Sequence, residues 1–373
     1  MATVMNRWIR ASSAVGFAAA LAAFGFAVPA AAATATDNGG VTVPAGFSAT
    51  VFAHSGTVAG PDDIAQLGRN LFVAYQNGIG PKGEPSKSGR VTSTVVEFNA
   101  QGKEVAHWDV TGKVDGMGAN SRTGQLIASV NEDGNSSVYV ISPGERDTGV
   151  SHYSFSPNPL PHGGGTDSVT VRNGVVYIVA SAPAADASGS TAGKPAMYRV
   201  DLSGHTAKAT PVFTDNVTAT NLVTGKKAAL NLTDPDSSAA VPAAVPGVGG
   251  SLMLVGQADK QLVFVKNAGA HNQSASVLPL SAQVDDATFA SSAKGTLYVV
   301  DNAGGNVIAI TGNFQKGQAF GSASGLSTID LKTGQVAPFG AGVKSAKGLL
   351  FVPAAGGEDS QNSDQNQNPS QHD

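Results

Sequence analysis

Residues 295–310 read Gly295-Thr296-Leu297-Tyr298-Val299-Val300-Asp301-Asn302-Ala303-Gly304-Gly305-Asn306-Val307-Ile308-Ala309-Ile310. Two runs rich in β-branched residues flank a turn built on Gly304-Gly305, which is the signature of a β-hairpin. Both faces of the hairpin are apolar, so it needs cover on both sides.

Working outward, the same pattern recurs. An acidic residue opens a weak strand, a turn follows, then a strong β-branched run and two further strands. Asp63 precedes Asn70–Tyr75, Thr92–Phe98 and Val105–Val110. Asp115 precedes Gly124–Val130, Ser137–Ile141 and Ser151–Phe155. Asp167 precedes Gly174–Val179, Ala196–Val200 and Ala209–Phe213. Asp236 precedes Ser251–Val255, Gln261–Val265 and Ser274–Leu280. Asp286 precedes Gly295–Val300, Asn306–Ile310 and Gln335–Phe339. These acids recur at intervals of 52, 52, 69 and 50 residues, with insertions in the long step at 182–194 and 216–232. Four strands on a period near 50 predict an all-β chain folded as a β-propeller. A single blade cannot bury both faces, so blades must pack around a ring.

Two pieces remain: Gly46–Ala53 reads as an outer strand without a blade, and Gly348–Pro353 as an inner strand without partners. Sharing one closing blade, they complete a ring of about six four-stranded blades sealed by the N- and C-terminal strands. Five or seven blades are the alternatives for the count, and a pair of β-sandwiches is the rival architecture. The recurrent acid-then-strand register favours the propeller.

The composition agrees. The chain has 373 residues, 46 glycines, 19 prolines and only 13% charged residues, which suits short strands and tight turns rather than a helical bundle. There is no cysteine, which excludes disulfides, thiolate nucleophiles and thiolate metal sites. The domain is expected over 41–353. Before it, Arg7 and Arg10, an apolar run over 14–26 and small residues over 28–33 predict a signal peptide at 1–33 and hence a secreted, extracellular protein. Residues 356–373 are polar throughout and predict a disordered tail. The leader holds two arginines and no acid, so its loss takes the net charge from −4 to −6. A mildly acidic surface gives no electrostatic reason to bind nucleic acid or anionic lipid, and a monomer without membrane attachment is expected after cleavage.

The hairpin 295–310 resembles the core of an NHL-type blade. The region 62–353 is similar to the six-bladed propellers grouped with NHL proteins and the SMP-30/gluconolactonase family. The resemblance implies a ligand site at one mouth of the central channel, and in the gluconolactonase branch a Glu, Asn and Asp set that binds one divalent metal and polarises a lactone carbonyl. Residue types suited to such a set lie at the ends of the strong strands: Gln76, Asn77, Asn131, Glu132, Gln257, Asp301 and Asn302. Asn131–Gly134 and Asp301–Gly305 also suit plain hairpin turns.

The periodic acids Asp63, Asp115, Asp167, Asp236 and Asp286 are expected to ring the channel mouth. Converging carboxylates repel one another, and a hard cation such as Ca²⁺ would relieve that repulsion. The competing expectation is that each Asp caps its own turn. His162, on the glycine-rich loop 161–167, is a candidate general base oriented by Asp167. No Gly-x-Ser-x-Gly elbow, phosphate-binding loop, dinucleotide fingerprint or His-Glu-x-x-His is present. Two functions follow: a secreted binding or scaffold propeller that grips a ligand or partner at the acid-lined mouth, or a divalent-metal-dependent hydrolase (lactonase-like) or lyase at the same mouth.

Overall fold

The computed structural model describes residues 37–145, 149–187 and 190–354. The expected leader (1–33) and polar tail (356–373) lie outside the described residues. Within them the chain is all β, and no helix is long and apolar enough to cross a membrane.

The first strand, β1 (Phe47–His54), is the outer strand of the last blade. Blade 1 then follows from the axis outward as β2 (Pro61–Leu67), β3 (Asn70–Tyr75), β4 (Thr92–Phe98) and β5 (Glu104–Thr111). Blade 2 is β6 (Val114–Asn120), β7 (Gln125–Val130), β8 (Ser137–Ile141) and β9 (Val150–Ser156). Blade 3 is β10 (Gly165–Arg172), β11 (Val175–Ser181), β12 (Pro195–Asp201) and β13 (Ala207–Thr214). The outer strands β9 and β13 meet in a short parallel pairing. The second insertion forms a hairpin, β14 (Thr218–Asn221) and β15 (Lys227–Ala229). It extends the outer edge of blade 4, which comprises β16 (Pro235–Ala240), β17 (Leu252–Gly256), β18 (Gln261–Lys266) and β19 (Ser274–Pro279).

The last two blades are interlaced, which corrects the expected fifth unit. Blade 5 begins with β20 (Ala287–Phe289). The chain then leaves it to lay down β21 (Gly295–Asp301) and β22 (Asn306–Gly312) in blade 6. It returns for β23 (Ala319–Ser322), β24 (Leu326–Ile329) and β25 (Val336–Pro338) of blade 5. It ends with β26 (Ala346–Pro353), the inner strand of blade 6. Blade 6 thus runs β26–β21–β22–β1, and the two chain ends close it through antiparallel pairing with the hairpin 295–310. The expected closing blade is present. Its two middle strands are the ones the sequence pattern assigned to blade 5.

Packing follows the period-2 alternation of each strand. In β21, Leu297 and Val299 face blade 5 beside Phe320 and Leu326, while Val300 faces blade 1 beside Ile64, Leu71 and Val73. In β7, Leu126, Ala128 and Val130 pack on Phe72 and Val95 of blade 1, whereas Ile127 joins Val169 and Ile178 of blade 3. Every pair of neighbouring blades encloses one such cluster, so the hydrophobic core is divided among the seams. Full burial of a Val, Leu or Ile contributes roughly 1.5–3 kcal/mol relative to exposure. Since both faces of each strand are covered, the strong runs read as continuously apolar.

Candidate functional site: an acidic channel mouth

The inner strands β2, β6, β10, β16, β20 and β26 surround the central channel. Each begins at the same end of the ring. Five of them carry a register shift within their first residues, between Pro61 and Ile64, Val114 and Gly116, Thr166 and Val169, Pro235 and Ser238, and Ala346 and Leu349. In blade 5, Asp285 and Asp286 precede β20, and both donate backbone N–H bonds to Ser322. Bulges re-aim side chains next to sites, and the six strand starts define two equivalent positions per blade. The first is occupied by Asp62, Asp115, Asp167, Asp236, Asp285 and Lys347. The second is occupied by Asp63, Gly116, Ser168, Ser237, Asp286 and Gly348.

All five expected acids line the channel cavity, but at two different positions. Asp115, Asp167 and Asp236 occupy the first position, but Asp63 and Asp286 occupy the second. Asp63 accepts bonds from Ile64 N at 2.7 Å and Met117 N at 2.6 Å. Asp286 accepts from Ala287 N at 2.7 Å, Leu349 N at 2.7 Å and Ser237 Oγ at 2.6 Å. Their carboxylates tie one inner strand to the next from within the cavity lining, and each also accepts from the backbone N–H that follows it. The equivalent mouth residues are their neighbours Asp62 and Asp285. The sequence holds a signal for this, because blades 1 and 5 both carry a doubled acid where the others carry one.

The sixth member is a lysine. Lys347 Nζ lies 2.5 Å from Asp285 Oδ1. Lys113, just before Asp115, lies 2.7 Å from Asp115 Oδ1 and also pairs with Glu132. Burial pulls both ammonium groups toward neutrality, but the facing carboxylates outweigh it and hold them above their ordinary value. Both lysines therefore stay charged. Asp115 accepts further bonds from Gln76 Nε2 at 3.1 Å and Glu132 N at 3.2 Å. Gln257 Nε2 donates to Asp285 at 2.7 Å, and Asn302 Nδ2 to the carbonyl of Pro61 at 2.8 Å. Gln76, Glu132, Gln257 and Asn302 thus line the mouth.

Three others of the second group are held in loops. Asn77 bonds Thr92 O and Thr94 Oγ1. Asn131 bonds Asn135 O and accepts from Lys113 N. Asp301 Oδ1 accepts from Gly304, Lys344 and Ser345 N–H groups. They serve as hairpin and loop caps.

Blades 3 and 4 differ from the rest of the ring. Asp167 and Asp236 are neighbours in the ring, and the charge of Asp236 disfavours ionisation of Asp167. Among the described residues no lysine pairs with either, and Asp236 Oδ2 is buried without a hydrogen-bond partner. Burial raises both carboxyls well above the usual carboxylate range, as it does Asp234 nearby. Asp62 is pushed up to about 7, chiefly by burial and partly offset by Lys347. Neighbouring carboxyls in a low-dielectric setting disfavour one another's ionisation.

His162 is not part of the mouth. It is fully buried, with Nδ1 2.8 Å from the Tyr198 hydroxyl and Nε2 2.6 Å from the carbonyl of Gly165. Both ring nitrogens are engaged, and burial lowers its basicity. It pins the loop before β10 to blade 3, which corrects its reading as a general base beside Asp167.

The mouth opens into a cavity of about 680 Å³ along the axis. Ten carboxyl groups line it, against the two ammonium groups of Lys113 and Lys347. Farther along, the lining changes to neutral residues such as Ala119, Val171, Pro242 and Phe351. Among the described residues, no three His, Asp or Glu side chains converge as a metal-holding group.

No protein-family profile matches the chain, and no curated protein does. Solved structures similar to it include the following three. A structural-genomics protein described as a candidate gluconolactonase has 12% identity over 84% of this chain and 88% of its own, with a TM-score of 0.47. The periplasmic gluconolactonase of Pseudomonas aeruginosa has 14% identity over 78% and 88%, with a TM-score of 0.38. The β-propeller domain of Cps50 from Myceliophteria thermophila has 13% identity over 79% and 74%, with a TM-score of 0.36. At such identities the likeness concerns architecture alone.

Proposed function

We propose that this protein is an exported binding propeller that takes a cation-bearing polar ligand into its acidic channel mouth, without turnover. The observation that carries this reading is the charge balance of the cavity: ten carboxyl groups face two ammonium groups around an open volume of about 680 Å³. Such a funnel focuses a negative potential and favours positively charged ligands. The volume suits a small molecule or a side chain of a partner. The amides of Gln76, Gln257 and Asn302 and the ammonium groups of Lys113 and Lys347 add donors for a ligand's oxygens, so a polar body with a cationic head matches the lining.

A metal-dependent lactonase or lyase at the same mouth is the second reading; among the described residues no three His, Asp or Glu side chains converge, so its metal ligands would have to include amide or carbonyl oxygens.

A calorimetric and thermal-shift panel of amines, neutral polyols and carboxylates tests the reading. Amines should bind and stabilise, and the effect should weaken as salt is raised. Selective stabilisation by carboxylates overturns it. Hydrolysis of a lactone that is abolished by EDTA favours the metal-dependent alternative.

A further inference from the structure

We infer that the face at the end of the ring opposite the acidic mouth is a docking surface for an anionic lipid bilayer. This face is separate from the mouth, and what the mouth binds does not bear on it. The net charge of −4 gave no reason to expect a membrane partner, but a net charge sums over faces of opposite sign.

Every inner strand begins at the mouth, so the turn that follows it lies at the other end. In blade 1 that turn is Gly68-Arg69, between Leu67 and its partner Asn70. In blade 2 it lies between Asn120 and Gln125 and carries Arg122. In blade 3, Arg172 closes β10 opposite Val175. Lys294 stands just before β21, and its carbonyl accepts from Ala354 N at 3.0 Å, beside the end of β26. Arg69, Arg122 and Lys294 are exposed, and Arg172 is half-buried. Arg122 lies over the blade 3 turn, its Cδ 2.9 Å from where a Cβ on Gly174 would sit, and Arg172 reaches the blade 4 loop at Gly250. Among the described residues none of these four cations forms an ion pair. Lys294 Nζ donates to the neutral side chain of Asn313, which leaves its charge uncompensated. The inner turns hold no acid, while the outer turns of the same face carry both signs, with Lys103 beside Glu104 and Asp330 beside Lys332.

The inner turn of blade 4 differs in kind. Residues 239–250 contain no polar side chain. Val241, Val245 and Val248 are buried in the cluster between blades 4 and 5 and pin this loop. Ala243, Ala244 and Pro246 are exposed. Val245 N donates to Pro242 O at 3.0 Å and Gly249 N to Val245 O at 2.8 Å, so the loop meets part of its own backbone demand. An apolar loop among unpaired cations matches a bilayer surface, where phosphates take the cations and the boundary with the acyl chains takes the loop. A soluble polyanion would use the cations and leave the loop without a role. A second copy offering its mouth would bring the exposed Lys82 and Lys87 of that face against the same cations. Inner strands such as β2 and β6 have seven residues each, which places the mouth acids roughly 20 Å from this end. That is about two Debye lengths at physiological salt, so the acids do not cancel the attraction.

The test is co-sedimentation of the full chain with vesicles of phosphatidylcholine alone and of phosphatidylcholine mixed with phosphatidylglycerol, at low and at high salt. The quantity read is the difference between the two vesicle types, which the apolar run of a leader would not supply. The expected result is stronger binding to the anionic vesicles, with the difference lost at high salt. Arg69→Gln, Arg122→Gln, Arg172→Gln and Lys294→Gln should each weaken anionic binding about fivefold, and their combination should remove the difference. Ala243→Glu, which puts an acid on the apolar loop, should weaken it as well. Lys82→Gln combined with Lys87→Gln removes the same kind of charge from the mouth face and should change binding less than about twofold. Unchanged melting temperatures would show that the variants fold. Equal binding to both vesicle types overturns the inference, as does a difference that survives the fourfold substitution. A loss in the Lys82 and Lys87 variant equal to that of the other variants overturns the choice of face. Pelleting of the protein without vesicles, or binding of inorganic polyphosphate with no preference between vesicles, overturns the choice of a bilayer.

Discussion

The carboxylate of Asp63 accepts a hydrogen bond of 2.6 Å from the backbone N–H of Met117, joining the innermost strands of blades 1 and 2 through a side chain. Asp286 repeats the arrangement on Leu349 at 2.7 Å, joining blades 5 and 6. Between blades 3 and 4 the hydroxyl of Ser168 takes the same place, accepting from Ser238 N at 3.0 Å. Parallel neighbours at the axis have no ladder between them, so their N–H groups need such acceptors. The seams after blades 2 and 6 use glycine instead. A Cβ on Gly116 would lie 2.4 Å from Ser168 Cα, and one on Gly348 would lie 2.9 Å from Asp63 Cα.

Asp63→Ala is expected to lower unfolding stability by about 1–3 kcal/mol, because it orphans the N–H groups of Ile64 and Met117. Asp62→Asn, one residue away, removes a carboxyl that burial disfavours and should leave stability unchanged or raised. Urea denaturation of the two variants checks the contrast. Equal losses in both would contradict the division of the doubled acid into a strut and a mouth residue.

Gly116→Ala should destabilise by about 1–3 kcal/mol, since the added methyl meets backbone that cannot withdraw. Gly144→Ala meets nothing within 4 Å and serves as the control. Melting temperatures of the pair measure the closeness of blades 2 and 3 at the axis.

Stability should fall as pH rises from about 4 to about 7. Burial raises Asp62 to about 7 and Asp286 to about 6, from an ordinary 3.8. Over that window the unfolded chain releases protons that the fold retains, so the folded state binds more protons and loses stability with increasing pH. His162 acts in the opposite sense: burial holds it neutral, so protonation of the unfolded chain below about 6.5 disfavours folding. With eight raised carboxyls against one histidine, the melting temperature should be higher at pH 5 than at pH 8. Asp62→Asn should flatten that slope, and a melting temperature that rises steadily from pH 5 to pH 8 would contradict the assignment.

Tyr198→Phe should cost about 0.5–1.5 kcal/mol through the lost hydroxyl bond to His162, with no change in ligand binding at the mouth. A binding defect at unchanged stability would return His162 to the functional site.

The periodic acids, the β-branched runs and the glycine turns were legible along the chain, because a blade is written in local alternation and turn chemistry. The sequence alone determined an all-β ring of about six repeats, its closure by both chain ends, and the gathering of acids at one mouth. Two matters were decided only in three dimensions. The hairpin 295–310 joins blade 6 rather than blade 5, since any apolar strand pair satisfies either blade and the choice lies in which inner strand it meets. The register at the start of each inner strand, set by a bulge in five blades and by the bonds to Ser322 in blade 5, decides which residue of Asp62-Asp63 and of Asp285-Asp286 comes first at the channel mouth. A shift of one residue turns a side chain to the other face of its strand, so a ring of five acids and a lysine emerges only once the register is fixed by pairing with the neighbouring strand.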